Sequence, residues 1–468
     1  MIPEDPFADG GIIVFAEKFR RGQVTSVAVT KACLARIEAL NASIGAFWHI
    51  DAEGALATAA AMDAAFSAGV YLSQLMGVPV AVKDLLVVDG MPVTFGSDLD
   101  LSEMIGFEGH YIKCLRNAGC VILGKTATVE LAFGTTGINE TLGTPRNPHD
   151  PEVFRVCGGS SSGSGAAIAA GLAGFAVGTD TGGSVRIPAA LCGIFGHKTT
   201  KGLYDTNGVF PVSPTFDTIG PLTRSAADAA LIFSATTGTI VPEIAAPTLQ
   251  FLKPSNYFFN DLAVEVSDAV FESIERLTTF GASFVDVEIP EVSERAAIYP
   301  EIVPSELMSA IGAERFAQGR AQMDSLTASR AEYGLNVSAV SYIDAVKRMR
   351  ELTRIVAQRL DNQGTLITPT VPIIAPKKSE LADIESGVSI HNQLVRNAQP
   401  AGIFNHCAVS LPVQKIGKPS LPVGLQLSRG EGEDALLLGI ARTVEKILGV
   451  GERPQCLFDS SSDRVQGD

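Results

Sequence analysis

The chain has 468 residues, of which 46% are hydrophobic and 19% are charged. This apolar content is sufficient for a large buried core and excludes a disordered protein. The formal net charge of −15 argues against nucleic acid and against anionic membrane surfaces as partners.

Helical and strand periodicities alternate along the chain. In chain order, helical patterns are seen at 11–40 (with Ser26 as a candidate N-cap), 51–68, 108–118, 166–177, 262–280 and 305–360. Strand patterns are seen at 77–83, 120–123, 282–289, 365–370 and 420–427. The alternation predicts an α/β fold with a mixed sheet.

The cysteines and the N-terminus indicate a cytoplasmic protein. The seven cysteines are scattered and lack CxxC spacing, which is typical of reduced thiols and shows no zinc or redox motif. The first ten residues, MIPEDPFADG, are acidic and do not resemble a signal peptide. The small-apolar stretch 166–177 is too short and too rich in glycine to span a bilayer, so that we interpret it as a buried helix.

The segment Gly119–Thr126, GCVILGKT, matches the phosphate-loop pattern GxxxxGK[ST] letter for letter. A phosphate loop needs its four intervening residues to curl, so that successive N–H groups converge on an anion. Residues 120–123 are bulky, apolar and partly β-branched, which favours a buried strand. We therefore interpret the segment as a strand and do not expect nucleotide binding.

A second pattern, GxSxG, occurs at Gly159–Gly163 and would make Ser161 the nucleophile of a strand-to-helix elbow. That arrangement needs a strand before the serine and a histidine downstream. Three histidines are available: His197, His391 and His406. Because residues 147–152 are loop-like, this interpretation is the weaker alternative.

The segment from Gly158 to Thr200 is the most specific of the three. Two Gly/Ser-rich turns flank a run of small residues, and the second turn, GTDTGGS, ends at Ser184. Gly182 and Gly183 permit close approach of the backbone to a ligand and can direct N–H groups inward, as in an oxyanion hole. A single Gly or Ser is most often a turn residue, but the joint pattern favours a catalytic site.

This segment resembles the amidase signature, whose pattern runs GGSSGGS, a small-residue helix, and G-[ST]-D-[TI]-GGS-[IV]-R-x-P. The similarity covers about residues 10–455 and includes GVPVAVKD (77–84), GKT (124–126), FGT (133–135), TPRNP (144–148) and LPVGLQ (421–426). The chain departs from the pattern at Cys157, Ser162, His197 and Thr199. Of these, Ser162 replaces a usual glycine and is expected to restrict the backbone of the first turn.

The resemblance implies a fold in which one large domain has a central mixed, twisted β-sheet covered by helices on both faces. We assign residues 1–458 to this domain, with a catalytic core at about 70–225 and a helical substrate-pocket region at about 290–360. The polar tail 459–468 is expected to be disordered.

The resemblance also implies a catalytic triad of Ser184 as nucleophile, Ser160 as bridging serine after a cis peptide bond, and Lys83 as base. Lysine has an ordinary pKa near 10.4, so that Lys83 must be desolvated to act near pH 7. The apolar run before Lys83 suits burial, whereas the alternative is a surface lysine paired with Asp84.

Further site residues follow from the same resemblance. The oxyanion hole would be formed by the backbone N–H groups of Thr181, Gly182, Gly183 and Ser184. Supporting roles are expected for Asp180, Arg186 and Ser161. Substrate contacts are expected from Ala132, Phe133, Gly134 and Phe210, and Phe216 is a further candidate for an apolar wall. No metal and no cofactor is expected.

The implied reaction is cleavage of a carboxylic amide through an acyl-enzyme, with release of ammonia or an amine. Segments 209–218, 257–262 and 394–400 resemble the indoleacetamide and mandelamide hydrolase branch, which suggests a small arylacetamide-type substrate. The alternatives are the glutaminase component of a glutamyl-tRNA amidotransferase, a carbamate, urea-derivative or peptide amidase, and an inactive binding protein. The sequence leaves a homodimer open.

Overall fold

The computed structural model describes residues 2–104, 106–360, 364–413, 421–449, 451, 453 and 454. Its helices are α1 (Gly11–Arg20), α2 (Ser26–Ile44), α3 (Ala52–Ser67), α4 (His110–Asn117), α5 (Ser162–Ala169), α6 (Arg186–Leu191), α7 (Ala226–Thr237), α8 (Val264–Thr279), α9 (Arg295–Ile311), α10 (Ala313–Gly319), α11 (Ser325–Glu332), α12 (Ala339–Leu360), α13 (Ile384–Arg396), α14 (Pro400–Ile403) and α15 (Asp434–Leu448). Its strands are β1 (Phe47–Ile50), β2 (Pro79–Lys83), β3 (Val121–Thr126), β4 (Phe175–Asp180), β5 (Phe195–Lys198), β6 (Thr218–Thr223), β7 (Gln250–Pro254), β8 (Ser283–Val287), β9 (Thr365–Pro369), β10 (Cys407–Val413) and β11 (Val423–Arg429). The predicted tail 459–468 lies outside the described residues.

Within the described part of the chain, the strands form one 11-stranded sheet in the order β1-β3-β2-β4-β6-β5-β10-β11-β9-β7-β8. The pairs β3–β2, β2–β4, β9–β7 and β7–β8 are parallel and the others are antiparallel. Every residue of β2, β4, β10 and β11 is buried. Because successive residues of a strand point to opposite faces, both faces of the central sheet are covered, which confirms the predicted α/β architecture.

The stretch 166–177 is not one buried helix, as the sequence suggested. Helix α5 ends at Ala169, Gly171 has φ +71°, and β4 begins at Phe175. Glycine adopts this left-handed conformation without a steric penalty and commonly ends helices. The turn therefore makes room for a strand that the small, apolar residue types did not reveal.

The turn after α5 matters because it aligns β4 with β2. These strands pair in parallel, with Val80 opposite Phe175 and Val82 opposite Val177. Parallel neighbours end at the same edge of a sheet, so that Lys83 and Asp180, the last residues of the two strands, reach the same place. The loop that follows Asp180 carries Ser184 to that edge as well.

The segment that matches a phosphate loop is strand β3, as predicted. All of its residues are buried, and Lys125 forms an ion pair with Asp84 at an Nζ–Oδ1 distance of 2.7 Å. A buried lysine that is already paired within the sheet cannot reach an external phosphate.

None of the helices described has the length and apolar character needed to cross a membrane.

Candidate active site

Lys83 is fully buried at the end of β2 and points at a serine. Its Nζ donates to Ser160 Oγ at 2.8 Å and to Thr179 Oγ1 at 2.7 Å. Burial lowers the pKa of Lys83 to about 7, against the opposing effect of the nearby Asp217 and Asp180 carboxylates. Neutral amine is therefore abundant at physiological pH, which a general base requires.

The alternative of an ion pair between Lys83 and Asp84 is wrong. Asp84 is engaged by Lys125 and by Thr94, whose hydroxyl donates to Asp84 Oδ2 at 2.5 Å. Asp84 is the first residue after β2, and its carboxylate is directed to Lys125, whereas Lys83 Nζ is directed to Ser160 and Thr179. Among the residues described, no carboxylate lies within ion-pair distance of Lys83.

Ser160 follows a cis peptide bond with Gly159, as the resemblance implied. The Gly159 N–H donates to the carbonyl of Thr135 at 2.8 Å, and the Ser160 carbonyl accepts from Thr128 Oγ1 at 3.0 Å and from the Val129 N–H at 3.1 Å. These bonds hold the serine against the segment after β3. Because its Oγ accepts from Lys83, its own hydroxyl hydrogen can be donated to another acceptor.

Ser184 ends the loop that follows β4 and is 3% exposed. Its carbonyl accepts a hydrogen bond from the Ser161 N–H at 3.2 Å, which ties the two predicted turns together. Gly183 has φ +123°, a conformation that L side chains disfavour, so that glycine is required at this position.

The predicted oxyanion hole is supported only in part. The Gly183 N–H donates to Asp180 Oδ1 at 2.7 Å and is therefore not directed at a ligand. By contrast, none of the described residues accepts a hydrogen bond from the N–H groups of Thr181, Gly182 and Ser184. Thr181, Gly182 and Ser184 all line the cavity described below, where their N–H groups are free to donate to a ligand.

An ion pair between Asp180 and Arg186 supports the loop 181–184. Both side chains are fully buried, with Arg186 Nη2 2.9 Å from Asp180 Oδ1 and Nε 3.0 Å from Oδ2. Burial alone would raise the pKa of Asp180, but the Arg186 charge and hydrogen bonds outweigh it, and the pKa is lowered. Arg186 Nη1 also donates to the Ala398 carbonyl at 2.6 Å and to Gln426 Oε1 at 2.7 Å.

The structure contradicts the elbow interpretation of Ser161. Its side chain is fully buried, and its Oγ lies 3.4 Å from the carbonyl of Thr179. The three histidines are engaged elsewhere: His197 with Asp434 at 3.0 Å, His391 with Thr135 at 2.7 Å, and His406 with Ser428 at 3.4 Å. Within the described ranges no histidine hydrogen-bonds to Ser161 or Ser184.

A cavity of about 660 Å³ opens beside Ser184. Three of the four predicted substrate contacts, Ala132, Phe133 and Gly134, line it. Phe210 does not, because its buried ring packs on Phe95 with the centroids 4.9 Å apart. Phe216 likewise lies behind the wall, stacked on the lining residue Tyr299 at 4.4 Å.

Most of the remaining wall comes from three helices, α9, α11 and α13. The predicted pocket region at about 290–360 therefore includes α9 and α11 but omits α13. Sequence reasoning missed the polar lining residues of these helices, Arg295, Tyr299, Arg330 and His391. None of these four residues lies in a short sequence motif, and helical periodicity indicates only which face of a helix is apolar.

The tyrosine at this wall also supports the loop that carries Ser184. Tyr299 Oη lies 3.3 Å from the carbonyl of Thr181 and 3.1 Å from that of Gln399. Hydrogen bonds of Tyr299 therefore connect this wall to the loop 181–184.

Among the described residues, no group of three or more His, Cys, Asp or Glu side chains is placed to hold a metal ion.

Comparison with known proteins agrees with this architecture. The amidase family model matches residues 28–438. The chain is 35% identical over 443 residues to a 2-amino-5-chloromuconic acid deaminase of Comamonas testosteroni, with 93% of this chain and 96% of the relative covered. It is 31% identical over 474 residues to the A-type component of the glutamyl-tRNA(Gln) amidotransferase of Desulfotalea psychrophila, with coverages of 93% and 96%.

A solved amidase crystal structure superimposes with a TM-score of 0.86 at 29% sequence identity and covers 94% of this chain and 100% of its own. The fold, the family model and these relatives define one class of protein. The chain belongs to the amidase signature family and is a hydrolase that acts on the C–N bond of amides.

Proposed function

We propose that this protein hydrolyses a small carboxylic amide through an acyl-enzyme on Ser184, with Ser160 as proton relay and Lys83 as base. One observation carries the proposal: a fully buried lysine without a carboxylate partner donates to the Ser160 hydroxyl, at the edge of the sheet where Ser184 also lies.

The proton path follows from this arrangement. Neutral Lys83 accepts the proton of Ser160, which in turn accepts the proton of Ser184 as Ser184 Oγ bonds to the amide carbon. The carbonyl oxygen takes the negative charge beside the free N–H groups of the oxyanion loop. The proton returns through Ser160 to the nitrogen, the C–N bond breaks, and ammonia or an amine leaves. Water then attacks the ester by the same relay and releases the carboxylic acid.

Within this class we propose a primary amide of arylacetamide type as the substrate. The cavity of about 660 Å³ is large enough for one aromatic ring with its side chain. Its wall contains the Phe133 ring and the aliphatic side chains of Val212, Val303 and Val388. These groups provide the apolar surface that a ring would cover.

A second candidate is the glutaminase component of a glutamyl-tRNA amidotransferase, because a component of such an enzyme is 31% identical over nearly its full length. A carbamate or urea-derivative amidase would use the same acyl-enzyme. An ammonia-release screen of the purified chain alone across arylacetamides, aliphatic amides, glutamine and carbamates separates these candidates. Activity on glutamine that appears only with partner proteins would favour the second candidate.

A cytoplasmic location and a homodimer remain predictions.

The nucleophile is tested with three serine variants. Ser184→Ala should abolish turnover, and a neutral fluorophosphonate should label Ser184 in the wild type and nothing in this variant. Ser160→Ala should slow labelling strongly because the relay is interrupted. Ser162→Ala is the matched control, since the buried Ser162 hydroxyl has no hydrogen-bond partner among the residues described.

Labelling measured by mass spectrometry of peptides also distinguishes the rival mechanism. A label on Ser161 would contradict the proposal and restore the elbow interpretation. Loss of labelling in Ser162→Ala would show that the first turn, and not the relay, determines reactivity.

A further inference from the structure

The cavity beside Ser184 has an unusual charge. Two arginines line it, Arg295 from α9 and Arg330 from α11, whereas none of its described lining residues is an aspartate or a glutamate. The chain as a whole has a net charge of −15. The cavity wall therefore has two cationic side chains and no acidic one, although acidic residues outnumber basic residues in the chain as a whole.

Arg330 reaches the cavity over the ring of Phe133. Its guanidinium carbon is 4.4 Å from the ring centroid, and Nη1 donates to the Phe133 carbonyl at 2.9 Å. Burial lowers the pKa of Arg330 to about 10, so that it is still a cation at neutral pH. A guanidinium has five N–H donors, and the described contacts use one of them.

Arg295 approaches the same space from the other helix. Its Nε donates to Tyr257 Oη at 2.5 Å and its Nη1 donates to Gln399 Oε1 at 2.8 Å. These partners are neutral, so that they orient the guanidinium without cancelling its charge. The pKa of His391 on α13 is lowered well below its usual range, first by burial and then by Arg330 and Arg295. Both cations therefore act on one imidazole of the cavity wall.

Two acids on or next to the same helices, Asp324 and Glu301, are hydrogen-bonded to other groups. Asp324 Oδ1 caps α11 by accepting from the Thr327 N–H at 3.0 Å, and Glu301 Oε1 accepts from Tyr333 Oη at 2.9 Å. Within the part of the chain that the structure describes, neither Arg295 nor Arg330 forms an ion pair. By contrast, the neighbouring Arg320 on the same stretch of chain is paired with Glu332 at 2.7 Å.

We propose that the substrate carries a carboxylate in addition to its amide, and that Arg330 and Arg295 bind this carboxylate while Ser184 attacks the amide. The inference rests on the proposed amide hydrolysis at Ser184, and among small carboxylic amides it favours carboxylate-bearing aryl amides and monoamides of dicarboxylic acids over the neutral arylacetamides. Guanidinium groups present paired N–H donors that match a carboxylate, and such charged hydrogen bonds are stronger than neutral ones.

The test uses amides paired so that a carboxylate replaces a methyl group or a hydrogen. The pairs are succinamic acid with butyramide, glutaramic acid with pentanamide, adipamic acid with hexanamide, and 4-carboxyphenylacetamide with phenylacetamide. In the wild type, the better carboxylate members should exceed their neutral partners in kcat/KM by about 10- to 100-fold, mainly through a lower KM.

Three variants of the full-length chain identify the groups responsible. In Arg330→Met and Arg295→Met, the ratio of kcat/KM between carboxylate and neutral partner should fall about tenfold or more. In Arg320→Met, the matched control outside the cavity, the ratio should stay as in the wild type. A wild-type ratio near one, or a ratio that neither cavity variant changes, would overturn the inference while leaving amide hydrolysis intact.

A second measurement does not depend on turnover. Glutarate should slow the labelling of wild-type Ser184 by a neutral fluorophosphonate, and Arg330→Met should need at least tenfold more glutarate for equal protection. Absence of protection in the wild type would overturn the carboxylate site. Absence of any labelling at Ser184 would instead overturn the proposed function. Labelling of Arg330→Met without glutarate shows that this variant is folded.

Discussion

The floor and the wall of the cavity are built from different kinds of structure. The floor is the loop 181–184 after β4, with Lys83 at the end of β2 and Ser160 in the turn before α5 beneath it, and these residues are almost entirely buried. The wall consists mainly of α9, α11 and α13, and its lining residues include the half-buried Arg330 on α11 and the exposed Tyr333 just after it. A buried floor at the ends of strands suits chemistry that must not vary, whereas a half-open helical wall can change its side chains without loss of the fold.

The largest expected effect is on the floor. Lys83→Arg should lower kcat/KM by about 10²–10⁴-fold for every amide, because a guanidinium cannot give up its proton at workable pH. Lys125→Arg is the matched control, since Lys125 acts as a cation paired with Asp84 and an arginine retains that charge. The control should keep at least about 100-fold more activity than Lys83→Arg. Equal losses in the two variants would remove the special role given to Lys83.

The second effect concerns the ion pair between Asp180 and Arg186, which supports the loop 181–184. Arg186→Met would leave the Asp180 carboxylate buried and unpaired, which should cost about 3–5 kcal/mol of unfolding free energy. Urea denaturation followed by circular dichroism measures this loss. Arg348→Met is the control, because its partly exposed pair with Glu294 is screened by solvent and should contribute much less. Similar losses in both variants would contradict the distinction between a rigid floor and its surroundings.

A smaller effect is expected where wall and floor meet. Tyr299→Phe removes a hydroxyl within reach of the Thr181 carbonyl at the start of the oxyanion loop. One such bond contributes about 1 kcal/mol, so that kcat should fall about fivefold for neutral and charged amides alike. A change confined to one class of substrate would place Tyr299 in the selective wall and not in the support of the floor.

The smallest effect is a shift in pH dependence. With Lys83 as base and its pKa lowered to about 7, kcat/KM should rise with pH through that region. The Asp217 carboxylate favours protonated Lys83 and raises its pKa, so that Asp217→Asn should move the rise to lower pH. The midpoint of the kcat/KM profile on one neutral amide measures this. A midpoint that moves upward would contradict the electrostatic relation between the two groups.

The comparison of floor and wall also explains what could be predicted from the sequence. The strand that ends in Lys83 and the turns with Ser160 and Ser184 are contiguous patterns of apolar, glycine and serine residues, which short-range steric rules interpret directly. Arg295 and Arg330 lie on half-exposed helical faces, where an arginine is usually only a solvated side chain. Their meaning depends on which helices converge, and that is a tertiary property.

Secondary structure was missed for related reasons. Strand β5 was not predicted because His197 and Lys198 interrupt an apolar pattern, although each has a partner in the fold: His197 Nε2 lies 3.0 Å from Asp434 Oδ1, and Lys198 Nζ donates to the His406 carbonyl at 2.9 Å. The N-cap of α2 is Thr25 and not Ser26, since the Thr25 side chain accepts from the Ala28 N–H while the Ser26 hydroxyl donates to the Gly77 carbonyl. Neighbouring residues with similar capping preference cannot be separated without such contacts.

The long-range contacts of Arg186 have a consequence for biosynthesis. Arg186 is joined to Asp180, six positions away, but also to Ala398 and Gln426, which are 212 and 240 positions further along the chain. Contacts this distant in sequence form only after the intervening chain has been made and ordered. A nascent chain that stops before β11 therefore has every residue of the proposed triad but lacks the Gln426 partner of Arg186. Arg186 has its full set of partners only after the last strand has been translated.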